Sequence, residues 1–145
     1  MQRATAATPR SRCSLVTSPE CRAWCSWQRL NEQKRDPETA HRDKVRARLH
    51  LEFVAELCRA QVEAGRYVLH EHPAGAASWA EECIQSVLDL EGMATVVGDQ
   101  CQYGQQTRAG EPVKKPTKWL SNSPRILEAL SKRCEGKHGR CSRRG

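Results

Sequence analysis

Apolar and aromatic residues are scarce in this 145-residue chain: hydrophobic residues make up 38% and aromatics 5%, and the mean hydropathy is −0.74. That composition predicts one domain at most, with a modest core and stretches that do not pack. No apolar run approaches the roughly 18–20 residues needed to span a bilayer, so no membrane partner is expected. Residues 1–12 lack the apolar segment of a secretory signal, and no acid occurs before Glu20. This short, basic, Ala/Thr/Ser-rich leader resembles an organelle transit peptide, but a disordered leader is the simpler expectation. The eight cysteines contain no CxxC pair. Without a secretory signal, reduced thiols and an intracellular location, the nucleus included, are expected. Cys21 and Cys25, with Cys134, His138 and Cys141, would bind zinc only if the fold joined the two ends. Structural zinc sites usually show two closely spaced ligand pairs, so no metal is expected.

Charge is present and unevenly placed. The formal net charge is +7, and residues 111–145 hold ten Lys/Arg against three acids, while the rest carries 14 of each sign. A basic C-terminal quarter favours a polyanion such as DNA or RNA through counterion release. A solvated, poorly ordered tail explains it equally well.

The patterning predicts a strand at Ser14–Thr17, then a turn or helical segment over Cys21–Asn31 with Trp24, Trp27 and Leu30 spaced three apart. A polar stretch follows to Asp43, in which Asp36-Pro37 breaks any helix. Next comes a long helix over about Glu38–Ala64. Its stripe is Val45, Leu49, Phe53, Leu57 and Ala60, widened by Val54, Cys58 and Val62, with Gly65 as the stop. A strand over Arg66–His70 leads to Ser78-Trp79-Ala80-Glu81, a capping box for a helix burying Ile84, Val87 and Leu88. Met93–Val97 reads as a strand, 100–116 as a Gly/Gln/Pro loop and Thr117–Leu120 as a strand. Ser123-Pro124 opens a last helix with Ile126, Leu127 and Leu130 inside. Strands separated by amphipathic helices predict an α/β fold: a partial Rossmann-like, mostly parallel sheet with covering helices over residues 13–134. Residues 135–145 read as a basic disordered tail.

Two strand ends carry the chemistry. Tyr67–His70 runs into Glu71-His72-Pro73, and Leu15–Thr17 runs into Ser18-Pro19-Glu20-Cys21. In α/β sheets the carboxyl ends of strands present functional groups, so an acid–imidazole pair and a cysteine there are site candidates. The plainer readings are a strand-end cap or a pair with Arg66 for Glu71 and His72, an inert thiol for Cys21, and packing for Trp24, Trp27 and Trp79. Lys114, Lys115 and Lys118 around Pro116 are candidates for phosphate contact, or a solvated loop.

The ordered series Tyr67-Val68-Leu69-His70-Glu71-His72-Pro73, Ser78-Trp79, Asp99-Gln100-Cys101-Gln102-Tyr103-Gly104, Lys115-Pro116-Thr117, Ser121-Asn122-Ser123-Pro124 and Lys132-Arg133-Cys134-Glu135-Gly136-Lys137-His138 resembles a domain of copia-type retrotransposon polyproteins and of hypothetical proteins from dinoflagellates and other protists. With Ser18–Cys21 and Leu30-Asn31, the resemblance covers about residues 14–138. That domain is in turn similar to cytosine-C5 DNA methyltransferases, which present Pro-Pro-Cys at one strand end and Glu-Asn-Val at the next. Pro19-Glu20-Cys21 and Glu71-His72-Pro73 match these, and Tyr103-Gly104 with Gln105-Gln106-Thr107-Arg108 matches a later Tyr-Gly-x-Pro-Gln-x-Arg.

The resemblance implies that Cys21 is the thiol nucleophile that adds to C6 of cytosine and that Glu71 is the acid at N3, with His72 in the place of the Asn. The base is flipped out of its helix, and Arg108 stabilises the pocket or a phosphate. Departures from the pattern imply an inactive copy. Glu20 replaces a Pro and disfavours the thiolate, and the 20 residues before Cys21 contain no glycine for a cofactor turn. The expectation is therefore a truncated, mobile-element-derived chain with no cofactor of its own. S-adenosylmethionine would serve only with an N-terminal part present, and the remainder of a polyprotein is a further candidate partner. The alternative is a non-enzymatic nucleic-acid-binding remnant that uses the basic C-terminal region.

Overall fold

The computed structural model describes residues 14–25, 30–31, 34–137 and 141. The expected disordered leader, Trp27 and His138 lie outside the described residues. The elements, in chain order, are β1 (Ser14–Thr17), α1 (Pro37–Glu63), β2 (Tyr67–Pro73), a 3-10 turn (Ala77–Ala80), α2 (Glu82–Leu88), β3 (Ala94–Asp99), a second 3-10 turn (Gln100–Tyr103), β4 (Pro116–Ser121) and α3 (Pro124–Ala129). None of the described helices is long and apolar enough to cross a membrane.

Asp36-Pro37, expected to interrupt a helix, starts one. The Asp36 side chain accepts from Thr39 N at 2.8 Å, and Pro37 occupies the first turn, where its missing N–H costs no hydrogen bond. The helix ends in a Schellman motif: Arg66 N donates to Gln61 O, Gly65 N donates to Val62 O, and Gly65 sits at φ +69°, a conformation only glycine adopts without strain.

The buried face of α1 is Leu51, Val54, Ala55 and Cys58. Of the expected stripe, the widening residues Val54 and Cys58 are buried and Val62 packs against the core, but its central row faces out: Leu49 and Phe53 are 61% and 56% exposed, and Val45 and Leu57 are exposed as well. At 100° per residue the two rows lie on opposite sides of the helix. The sheet takes the row with the small residues Ala55 and Cys58, which let the helix axis come close. Trp24, Val68, Trp79, Ile84, Val87 and Leu120 complete that core.

The sheet order is β1-β2-β4-β3. β1 pairs with β2 in parallel, Thr17 opposite His70, while β4 is antiparallel to both β2 and β3. The fold is thus mixed α/β, with one parallel and two antiparallel ladders rather than a mostly parallel sheet. The cause is the 100–115 connection. A parallel return requires a crossover of a dozen or more residues, usually a helix. This segment instead forms a 3-10 turn and an isolated bridge, Gln106 to Pro112, so the chain turns back antiparallel. β1, β2 and β3 nevertheless all run in the same direction, and their carboxyl ends share one edge of the sheet.

Ser78-Trp79-Ala80-Glu81 is not a capping box. Residues 77–80 form the 3-10 turn, Glu81 is the N-cap of α2 without a side-chain cap bond, and Glu81 pairs with Arg48 at 3.0 Å. Ser78 is diverted to His72. Ser123 is the N-cap of α3, with Pro124 following, again without a side-chain cap bond.

Candidate functional site

Both Pro-terminated strand ends meet at the shared edge. Because Thr17 lies opposite His70, Ser18 falls beside Glu71, and its Oγ donates to Glu71 Oε1 at 2.5 Å. The alternation of β2 separates the candidate residues. Val68, His70 and His72 are buried on the face covered by α1, while Tyr67, Leu69, Glu71 and Pro73 lie half-buried on the other.

On the inner face the histidines act as structure. His70 Nδ1 lies 2.9 Å from Thr17 Oγ1, and its ring meets Trp79 edge-on at 5.3 Å. His72 Nδ1 is hydrogen-bonded to Ser78 Oγ, Trp79 Nε1 donates to Pro73 O at 2.9 Å, and Lys118 Nζ rests 5.0 Å from the Trp79 ring centroid. The Glu-His-Pro and Ser-Trp motifs therefore form one closed unit. Burial, followed by the charge of His72, lowers the His70 pKa to about 4. Burial also lowers the His72 pKa, offset in part by Glu71 and the Pro19 carbonyl, while Lys115 adds to the lowering. Both rings are neutral at neutral pH, and both Nε2 atoms are shielded without a hydrogen-bond partner among the described residues.

On the outer face, Glu71 sits directly opposite Trp119 on β4, and Trp119 opposite Val96. Glu71 Oε2 and Trp119 Nε1 are both shielded without a partner among the described residues. α3 packs against β3 and β4, and Val16 on β1 is 65% exposed. The result is a shelf carrying an oriented carboxyl, an indole and an apolar floor.

Beside the loop leaving Ser18 lies a cavity of about 550 Å³ lined by Pro19, Glu20, Trp24 and the first turns of α1. Four basic side chains, Arg22, Arg35, Lys44 and Arg46, line it against the carboxyls Glu20 and Asp43. Asp43 is engaged by Arg35 at 2.5 Å, and that bond lowers its pKa.

Cys21 opens the turn after β1, its carbonyl accepting from Trp24 N and Cys25 N. The four C-terminal candidates are not gathered into one patch. Arg108 is exposed on the 104–115 loop. Lys114 Nζ donates to Gly136 O at 2.7 Å, Lys118 lies over Trp79 on the inner face, and Lys115 is close enough for its charge to act on His72.

A second cluster forms where β3 ends. Asp99, fully buried, accepts at Oδ2 from Cys134 N at 2.7 Å and from Arg133 Nε at 3.0 Å. Cys101, Cys134 and Cys141 are buried together, and burial, then the Cys141 and Cys134 thiols, push the Cys101 thiol up to about 11.

No family model, curated protein or solved structure matches the chain.

Sequence reasoning singled out Glu71, His72 and Cys21 but missed Trp119, the arginines and lysine of the groove, and Cys101 as the neighbour of Cys134. Trp119 becomes visible only through strand register. The groove depends on a fold that brings Arg22 to Lys44 and Arg46. Asp99-Gln100-Cys101 was legible as a motif, but nothing local ties it to a cysteine 33 positions on.

Proposed function

We propose that this chain is a nucleic-acid-binding α/β domain with a methyltransferase-like base-holding edge, derived from a mobile-element polyprotein and not itself a methyltransferase. The supporting observation is the outer shelf: Glu71, clamped by Ser18 and with Oε2 shielded but unpartnered among the described residues, stands opposite Trp119. A carboxyl held this way reads the edge of a base, and an indole offers a stacking surface. The groove of Arg22, Lys44 and Arg46 supplies charge for adjoining phosphates. The carboxyl ends of β1, β2 and β3 lie together, and strand carboxyl ends are where open α/β sheets bind ligands. The mobile-element origin rests on the order of the sequence motifs alone.

The test is fluorescence anisotropy with a labelled single-stranded oligonucleotide of about 12 nucleotides, with and without a cytosine, over a range of salt. Affinity is expected to fall linearly on a log–log salt plot, and Lys44→Ala to reduce the slope by about 1. Trp119→Leu is expected to weaken binding by about 1–3 kcal/mol at every salt concentration, and Glu71→Gln to remove the preference for cytosine. Salt-independent binding, or binding indifferent to both shelf variants, refutes the proposal.

A further inference from the structure

We propose that Cys101, Cys134 and Cys141 form a thiolate site for zinc that fastens the C-terminal segment to the carboxyl end of β3. This goes beyond the nucleic-acid reading and does not depend on it. The three Sγ atoms lie within 4.8 Å of one another and all are buried. Cys134 Sγ and Cys141 Sγ are 3.8 Å apart. A disulfide requires about 2.05 Å. Two ligands of a tetrahedral zinc with Zn–S of about 2.3 Å stand about 3.8 Å apart. The spacing is that of a thiol–thiol hydrogen bond, in which Cys134 Sγ donates to Cys141 Sγ, and it is also that of two ligands on one tetrahedral metal, not that of a disulfide.

Apolar packing is the competing explanation, since cysteine behaves as a small buried hydrophobe. Among the described residues, however, this buried cluster consists of the three cysteines alone. It adjoins the buried carboxylate of Asp99. Both arms are also held in place before any metal arrives. Cys101 lies in the 3-10 turn closed by Gly104 at φ +89°, a position that favours glycine. Cys134 is fixed by its N–H to Asp99 Oδ2. Asp99 N bonds Lys132 O at 2.9 Å, Lys132 N bonds Tyr103 Oη at 2.9 Å, and Lys114 holds Gly136 O. Such outer contacts orient ligands and stabilise metal sites. Three sulfur donors select a soft or borderline ion, zinc foremost. On binding, each thiol releases its proton to solvent and gives a sulfur lone pair to the metal, with no change of oxidation state. A fourth donor, from water or the chain, completes the tetrahedron.

The experiment uses the full chain, reduced and freed of metal, with cobalt(II) as the spectroscopic probe. One equivalent per chain is expected to give a thiolate-to-cobalt charge-transfer band, and zinc to abolish it. Cys134→Ser removes the band, whereas Cys21→Ser with Cys25→Ser leaves it. Asp99→Asn weakens cobalt binding about 10- to 100-fold. Because serine in a buried cluster can prevent folding, the wild-type chain is also alkylated with and without zinc and mapped by mass spectrometry. Zinc is expected to protect Cys101, Cys134 and Cys141 and to leave Cys21 and Cys25 equally labelled. No charge-transfer band from a folded chain, a band that survives Cys134→Ser, or identical labelling with and without zinc overturns the proposal.

Discussion

Acid should weaken this fold through one buried ring. His70 lies on the inner face of β2, fully buried, with Nδ1 bonded to Thr17 and Nε2 without a partner among the described residues. Its pKa is lowered from 6.5 to about 4, first by burial and then by His72. In the unfolded chain the imidazole titrates near its ordinary value of about 6.5. Between those two values the unfolded state binds more protons than the folded state. Stability is therefore complete above about 6.5, falls as pH drops through the window, and stops falling below about 4. The whole window is worth about 3 kcal/mol at 1.36 kcal/mol per pH unit, of which about 2 kcal/mol is lost between pH 7 and pH 5. His72, also lowered by burial, adds in the same direction. Asp36 and Asp43 have lowered pKa values, so their contribution is lost only below the ordinary carboxylate range, outside this interval.

The assay is urea unfolding followed by circular dichroism at pH 7, 6 and 5, with the slope m checked for constancy. His70→Asn retains a hydrogen-bonding group for Thr17 and removes the titration, so its stability should change by about 2 kcal/mol less than that of the wild type over the same interval. A wild-type chain equally stable at pH 5 and pH 7 would refute the burial argument. An unchanged loss in His70→Asn would assign the titration to another group.

The face of α1 is tested by a pair of truncations: Leu51→Ala, at a fully buried position, should cost about 2–5 kcal/mol, and Leu49→Ala, 61% exposed, should stay within about 0.5 kcal/mol of wild type. Equal losses in thermal or urea unfolding would mean that the outer stripe is packed. A Cβ at Gly98 would stand 2.2 Å from the Leu130 carbonyl oxygen and 3.0 Å from Tyr103 Oη. Gly98→Ala should therefore lower stability by about 1–3 kcal/mol and lower the melting temperature; a neutral result would show that α3 can move off β3.

The local elements were legible because their signals are local. Ser14–Thr17 was read to the residue, and α1 to within one residue at each end, since apolar periodicity and Gly65 bracket it. Asp36-Pro37 failed locally, as an N-cap and first-turn Pro rather than a break; the other failures were non-local. α1 carries two apolar rows, and only docking on the sheet decides that Leu51 rather than Leu49 goes inside. Ser78 and Glu81 had the spacing of a capping box, yet Ser78 bonds His72 and Glu81 bonds Arg48, both tertiary partners. The sense of β4 follows from the 100–115 connection, whose Gly/Gln/Pro composition marks a loop without giving its direction. At the candidate site, Glu71 and His72 were found as neighbours in sequence. A strand places neighbours on opposite faces, so one became a shelf residue and the other an internal anchor.

The two proposed sites share an edge of the sheet, and the register says how they connect. Pro73, Thr117 and Gly98 lie in line across β2, β4 and β3. Gln100, in the turn that carries Cys101, donates through Nε2 to Thr117 Oγ1 at 2.9 Å, and its N–H bonds Lys115 O. The position of that turn therefore sets the start of β4, and with it the Lys115 charge felt by His72. A metal holding Cys101 to Cys134 and Cys141 stabilises this arrangement and none that breaks it, because a ligand shifts an equilibrium only by its differential affinity for the two states. Glu71 reaches the same frame through Trp119, one residue from the Lys118 that opposes His72. Nucleic-acid affinity is therefore expected to be higher with zinc than after chelation, with the difference carried by the shelf variants and the salt slope unchanged. A change confined to the salt slope would place the coupling in the basic groove instead.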